Sequence, residues 1–480
     1  MSQATSADIE ATAAPDRSAV KLRIASILGT TVFVTLLCLI VMTAIPYGTT
    51  QAWWKAGFVS IVFVLAILWL VEGLLSQSWF AESGTLVLPL VALAIFSFLQ
   101  TMSLGKQSAG PGGISFAPWN AVSADPYQTR FFALQLLALT LSGVMLARYA
   151  ATEKRLRMLI NLIVLLAAAS AIFGILRQTT QRGVGFGLPL LLPDLGYGQF
   201  INKNHFAYLM EMSLGLLVGL ILGRGVKRDQ ALIYFAALLP LWIGLALCGS
   251  RGGLVAMMAQ LVVAALLFSV VARRGSASKS DSKWLELTRS LPVRLSLIFV
   301  LVLGVLLGTI WLGGDQLATR IEESRKELSV DTAGTRQGAS RNEIWKATLK
   351  VIAAHPVLGV GMGGYWTAIP AYHDASGSLT PQEAHNDYLE LVASGGVVGL
   401  VLGGWFAVVV FLRTRENLGA RNRFRRAACL GAVIGIAGVA VHSLVDFGLH
   451  AIVNALVFTT LIVIATSKPQ WGDEPAKLYD

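Results

Sequence analysis

The stretch EAHNDYLELVASGGVVG at 383–399 sets His385 and Asn386 among three carboxylates, Glu383, Asp387 and Glu390, at the lip of a run apolar enough to enter a membrane. An imidazole near its ordinary pKa of about 6.5 is largely neutral at pH 7 and can take a proton from a hydroxyl. Any of the three carboxylates is a candidate to orient its second nitrogen. The plainer reading of the same residues is a polar helix cap, with Gly396 and Gly399 allowing close helix packing.

Cationic and amide groups recur at similar boundaries. In CGSRGG (248–253) Arg251 precedes two glycines, so backbone N–H groups can approach a phosphate there; snorkelling to lipid headgroups is the alternative. Arg341 opens the segment SRNEIWKATLKVIAAHP, where Ser340 and Glu343 form a capping box. Its guanidinium and the helix dipole favour the same anion. FINKNHFAYLMEM (200–212) puts Lys203, Asn204 and His205 at the start of another apolar run, with Glu211 roughly 9 Å deeper at 1.5 Å per residue. Arg177 and Gln178 close the run before it. HSLVDFGLH spaces His442, Asp446 and His450 four apart, a spacing that suits a divalent metal on one helix face, but Gly448 interrupts the helix. GVGMGG (359–364) resembles a nucleotide loop but follows no strand, and reads as a flexible turn.

These groups need elements to hold them. Of the 480 residues 55% are hydrophobic and 14% charged, against about 25% charged in soluble domains. Twelve runs approach the roughly 20 residues that cross a bilayer, near 24–45, 54–75, 85–102, 130–149, 156–176, 204–222, 230–248, 252–271, 295–313, 391–412, 428–446 and 449–466. The expected fold is an all-α polytopic membrane protein with about twelve transmembrane helices and a helical loop domain before the tenth span. The first run is too long for a cleaved signal peptide and reads as a retained anchor. With the N-terminus inside, the loops near 148–157, 223–229, 272–294 and 413–427 and both tails are cytoplasmic, and they hold most of the 38 Lys and Arg. The net charge of +11 is therefore a topology signal, and no nucleic-acid partner is implied. The expected order is a cytoplasmic tail at 1–23, spans one to nine over 24–313, an outer loop domain at 314–390 (periplasmic by the resemblance given below), spans ten to twelve over 391–466 and a cytoplasmic tail at 467–480. Cys38, Cys248 and Cys429 imply no disulfide framework and no metal site.

In this threading the outer face holds the segments 103–129, 177–203, 248–253 and 314–390. Within the last, a surface helix is predicted over 341–354, with Trp345, Leu349 and Ile352 on one apolar face and Pro356 ending it. Even-numbered spans point their N-termini outward. Asn204 and His205, Arg251, and His385 and Asn386 then stand at positive helix ends, as does Arg341, and if the fold gathers these ends they form an anion site.

Twelve spans with GSRGG, a long outer loop bearing an arginine on a helix, and the pattern H-N-x9-G-x-x-G at its end resemble the O-antigen ligase and O-antigen polymerase superfamily. NKNHFA and HPVLGVGMGGY strengthen the resemblance, which covers roughly 170–450. It implies transfer of a glycan from an undecaprenyl-pyrophosphate carrier to an acceptor hydroxyl on the periplasmic face of the bacterial inner membrane. Ligases use a lipid A–core sugar as acceptor, polymerases another lipid-linked repeat, and related members a protein. By the same resemblance His385 matches the essential histidine, and Arg251 and Arg341 the arginines that contact pyrophosphate, with Arg320, Arg325 and Arg336 close to the loop arginine. No metal, nucleotide sugar or other cofactor is expected. The reading is an inverting, metal-independent glycosyltransferase of lipopolysaccharide biosynthesis, with Asn386, Asn204, His205, Lys203, Gln178 and Arg177 as candidate contacts to sugar or diphosphate. The alternatives are an O-antigen or exopolysaccharide polymerase and a lipid-linked glycan transporter. Transporters usually carry internal repeats, interrupted helices and mid-membrane polar groups, whereas the polar residues of this sequence gather at one edge.

Overall fold

A computed structural model describes residues 17–45, 47–78, 84–103, 121–180, 191, 196–227, 229–274, 341–373 and 381–467. The predicted span at 295–313, Ser340 with Arg320, Arg325 and Arg336, residues 104–120 of the first outer loop, and most of both tails lie outside the described residues.

An apolar run in lipid must bond its own backbone, and a helix does so within one segment. The chain accordingly forms α1 (Arg17–Ala44), α2 (Ala52–Ser76), α3 (Gly84–Gln100), α4 (Pro126–Tyr149), α5 (Glu153–Thr180), α6 (Lys203–Leu222), α7 (Ala231–Leu247) and α8 (Arg251–Arg274). After these come α9 (Arg341–Ala354), the single turn α10 (Tyr365–Ala368), α11 (Asp387–Asn417), α12 (Arg423–His442) and α13 (Ile452–Thr466). The described residues hold no strand, only two isolated bridges. The protein is an all-α polytopic membrane protein. Among the described residues, seven helices are long and apolar enough to cross a membrane, and α3, α7, α13 and the stretch Arg251–Leu267 of α8 are shorter apolar helices.

The centre of the bundle is the pair α6 and α12. Their glycines let the backbones touch: a Cβ on Gly219 would lie 2.1 Å from Gly431, and one on Gly215 would lie 2.4 Å from Gly435. Helix starts follow local chemistry. Asn202 caps α6 by accepting from the Asn204 N–H, Asn386 caps α11 by accepting from Tyr388 and Leu389, and Asn422 caps α12. One end of the bundle is stapled by the buried Glu72, which accepts from Arg148 at 2.8 Å and from the Tyr149 hydroxyl at 3.0 Å. The other end holds the N-termini of α6, α8 and α11.

Two expectations are corrected. The GVGMGG segment is not a flexible turn but the splint of a broken helix. At Gly396, with φ 61° and ψ −157°, α11 loses its helical path. Residues 356–361 fill the gap: Val360 and Gly361 donate to the carbonyls of Ala393 and Ser394 at 3.0 Å, and Val397 donates to Pro356 at 2.9 Å. Gly359 and Gly361 also have positive φ, and a Cβ on Gly359 would sit 2.3 Å from the Ser394 backbone. Gln100, at the end of α3, locks the joint. Its amide donates to Leu358 and Ser394 carbonyls at 2.6 and 3.0 Å, and its oxygen accepts from the Met362 N–H at 3.1 Å. Gln100→Leu leaves three buried backbone groups without that partner, at about 1–3 kcal/mol for each one left unsatisfied. The variant is expected to unfold at a clearly lower temperature in detergent than the parent.

The second correction concerns α9. Its bounds match the prediction, but its buried face is Ile344, Ala347, Thr348 and Val351, while Leu349 is exposed. The helix packs against α11, and Trp345 donates its indole N–H to the Ala384 carbonyl at 3.0 Å. Thr348 shares a 2.7 Å hydrogen bond with the Tyr365 hydroxyl, which sits in the same small core. Thr348 can join the buried face because its hydroxyl donates to the Ile344 carbonyl and pairs with the Tyr365 hydroxyl inside that core.

Candidate functional site

The turn between α12 and α13 organises the open end of the bundle. Asp446 is buried there with every oxygen engaged. Its Oδ1 accepts from the Phe447 N–H at 2.9 Å, and its Oδ2 accepts from the Asn204 amide and from Arg341 Nη2, the latter at 3.2 Å. One carboxylate thus ties the start of α6 to the start of α9. Arg341 keeps 44% of its side chain exposed, so part of its guanidinium faces outward while Asp446 fixes its position.

Phe447 is ringed by three histidines. Its ring centroid lies 4.8 Å from that of His385, 5.2 Å from His205 and 5.4 Å from His450, each edge to face. His385 adopts a positive φ of 49°, which turns the chain sharply before Asn386 caps α11. Its Nδ1 is buried without a hydrogen-bond partner. None of Glu383, Asp387 or Glu390 orients the imidazole. Asp387 accepts from Ser443 Oγ at 2.6 Å, and Glu390 accepts from the Ala384 N–H at 2.8 Å. Burial holds His385 below its ordinary pKa, the Asp446 carboxylate opposes that, and the Arg341 guanidinium adds to it. The acid that acts on His385 is therefore sixty-one residues further along, in another turn.

Beneath this group lies a second polar pair. His442 Nδ1 and Glu211 Oε1 are 2.7 Å apart, both wholly buried, and Tyr208 stacks on His442 with centroids 4.2 Å apart. The first turn of α8 rests on this pair, since a Cβ on Gly252 would meet the His442 ring at 2.5 Å. Ser250 Oγ accepts from the Gly253 N–H at 3.1 Å and caps that turn, and Arg251 projects from it, exposed.

The four helix ends singled out in the sequence therefore all abut residues 442–447. The α6 end reaches Asp446 through Asn204, α9 reaches it through Arg341, α8 packs on His442, and α11 donates its Asp387 N–H to the Ser443 carbonyl at 3.0 Å. Asn386 and His205 belong to the same group. Arg177 is spent differently: buried at the end of α5, it donates to the Gly198 carbonyl at 2.8 Å and holds the turn before α6. Gln178 is exposed beside it, and Lys203 sits half-buried on the first turn of α6.

The HSLVDFGLH spacing marks this hub for a reason other than the one its periodicity suggests. His442, Asp446 and His450 do not share a ligand sphere, because the helix ends at His442 and each takes its own partner: Glu211, Arg341 with Asn204, and the Asp387–Glu390 pair. Asp446 and Phe447 are the residues that sequence reasoning undervalued. Two features expected of transporters are also present, the break at Gly396 and the buried Glu211. The backbone groups freed at the break are bonded by residues 356–361 and are not presented to a cargo.

Fold and site together define a polytopic membrane protein that collects guanidinium, imidazole and helix N-termini at one end of its bundle. Residues 235–404 match the family model described as O-antigen ligase, which supports for that segment the resemblance to the O-antigen ligase and polymerase superfamily. The matched segment includes Arg251, Arg341, His385 and Asn386, while Asn204, Glu211, His442, Asp446 and Phe447 lie outside it. No curated protein matches the chain.

Proposed function

We propose that the protein is an inverting, metal-independent glycosyltransferase of the ligase type. It would move a glycan from undecaprenyl pyrophosphate to a lipid A–core hydroxyl at the periplasmic face of the inner membrane. The observation that carries this reading is the convergence of four helix ends on residues 442–447, with His385 and Arg341 both acting on Asp446. In it, His385 accepts the proton of the acceptor hydroxyl. Arg341 and Arg251 hold the pyrophosphate and stabilise its charge as the glycosidic oxygen departs, with helix dipoles of like sign behind them. Asn204, His205 and Asn386 line the same group, and Lys203, Arg177 and Gln178 flank it. The leaving group is already activated, so positioning and electrostatics supply most of the catalysis.

The test is purified protein with a lipid-linked donor and a lipid A–core acceptor, with chelator present. Product formation supports the reading, and formation only in the presence of added metal ends it. Arg341→Lys keeps the charge but loses the planar fork, so the donor KM is expected to rise about tenfold, the loss of one charge-assisted hydrogen bond. A polymerase is favoured by the same geometry, since only the acceptor differs. A lipopolysaccharide gel of a deletion strain separates the two: bare core marks a lost ligase, and core capped by one repeat marks a lost polymerase.

A further inference from the structure

A second compartment lies beside the Asp446 group. A cavity of about 700 Å³ runs between α3, α4, α11 and α13. Its head is formed by Lys55, Glu383, Asp387, Glu390 and His450. Its shaft is mostly apolar, with Leu90, Leu136, Leu139, Ala455, Phe458 and Ile462 among the walls, and Arg413, Thr466 and Ser467 line it at the opposite ends of α11 and α13. Along α13 the lining runs from Ile452 to Thr466, a length of roughly 20 Å at 1.5 Å per residue. That is the shape of one extended hydrocarbon chain under a polar headgroup.

The charge at the head selects the kind of headgroup. Three carboxyl groups face one ammonium, with no arginine among them. Asp387 and Glu390 each spend one oxygen on the protein, bonded to Ser443 and to the Ala384 N–H. Their other oxygens approach His450 Nε2, at 4.0 and 3.5 Å. Burial pushes Glu383 up to about 7 against the pull of Lys55, and pushes His450 down to about 3, so His450 stays neutral and adds no positive charge. A phosphate or diphosphate placed here meets three carboxyl groups and no guanidinium donor. Hydroxyls meet acceptors, because a carboxylate accepts O–H donors readily. The exposed guanidinium of Arg341, paired with Asp446, does not line this cavity.

We propose that this cavity binds a single-chain lipid with an uncharged, hydroxyl-rich head, at a site separate from the anion site at Arg341. The test uses the full-length protein in phospholipid nanodiscs and two photoreactive probes with the same diazirine-bearing dodecyl chain, one a glucoside and one a phosphate. The glucoside is expected to label peptides of α4 and α13 that contain Leu139 and Thr459. The phosphate is expected to label them at least about tenfold less, the effect of one charge-assisted hydrogen bond lost. Combining Glu383→Gln with Glu390→Gln is expected to weaken glucoside labelling, and Arg341→Ala to leave it unchanged. Equal labelling by the phosphate, or no glucoside labelling of α4 and α13, overturns the proposal. Should the double variant fail to fold, the comparison of the two probes on the native protein still decides. Because the readout is binding, the result is independent of whether glycan transfer is observed.

Discussion

His385→Ala is expected to lower glycan transfer by about 10²–10⁴-fold, the usual contribution of a positioned general base, while the purified protein unfolds at nearly the parent temperature. The imidazole is half-buried against Phe447 and near Asp446, but its Nδ1 bonds to nothing among the described residues. Removing it deletes a ring contact and breaks no hydrogen bond of that nitrogen. The backbone needs a separate control, because residue 385 sits at a φ of 49°. Asparagine tolerates that region better than alanine, so His385→Asn should be as inactive as His385→Ala and at least as stable. Loss of activity accompanied by loss of fold in the alanine variant alone would assign the effect to the turn. Retention of more than a tenth of parental transfer in both variants would place the base elsewhere.

The pH profile gives an independent reading. A base works in its neutral form, and burial holds His385 below its ordinary value of about 6.5. The acidic limb of transfer should therefore fall at a pH lower than 6.5. Asp446→Asn removes the carboxylate that opposes this shift, so it should move the limb further toward acid. A limb that moves toward neutral pH in that variant would contradict the arrangement.

Much of this was legible in the chain because the signals are local. Apolar run length marks spans, Asn386 marks the start of α11 through capping chemistry within a few residues, and the bounds of α9 follow its local pattern. His385, Arg251 and Arg341 stand out because each is a polar group at such an end. What escaped is what depends on separation along the chain. Asp446 lies 105 residues from Arg341 and 242 from Asn204, and no periodicity links them. The carboxylates nearest to His385 in sequence drew the assignment of its partner, yet the reversal of the chain at residue 385 aims them toward Ser443, the Ala384 N–H and His450. The four-residue spacing of HSLVDFGLH would share a face only on one helix; the break expected at Gly448 comes earlier, since α12 stops at His442, and the turn sends three side chains to three partners.

Gly396→Ala is expected to destabilise the protein by several kcal/mol, a larger effect on stability than any other single methyl in α11. The residue holds φ 61° and ψ −157°, a region occupied almost only by glycine and costing about 1–3 kcal/mol for other residues. The new Cβ would also lie 2.2 Å from the Val357 carbonyl oxygen, and the neighbouring Val397 N–H already bonds to Pro356 at 2.9 Å. The collision cannot be relieved by a rotamer, because the atom it meets is backbone. Relief requires residues 356–361 to withdraw, and with them the bonds to Ala393 and Ser394 and the Gln100 clasp. Those residues connect α9, which carries Arg341, to the helix that begins beside His385, so transfer should fall along with stability. The comparison is Gly404→Ala in the same helix, where a Cβ meets nothing within 4 Å. There alanine should be neutral or stabilising by up to about 1 kcal/mol through helix propensity alone. Thermal unfolding of the two variants in detergent measures the contrast. Equal melting temperatures would mean that α11 runs through position 396 without a break, and that residues 356–361 do not splint it.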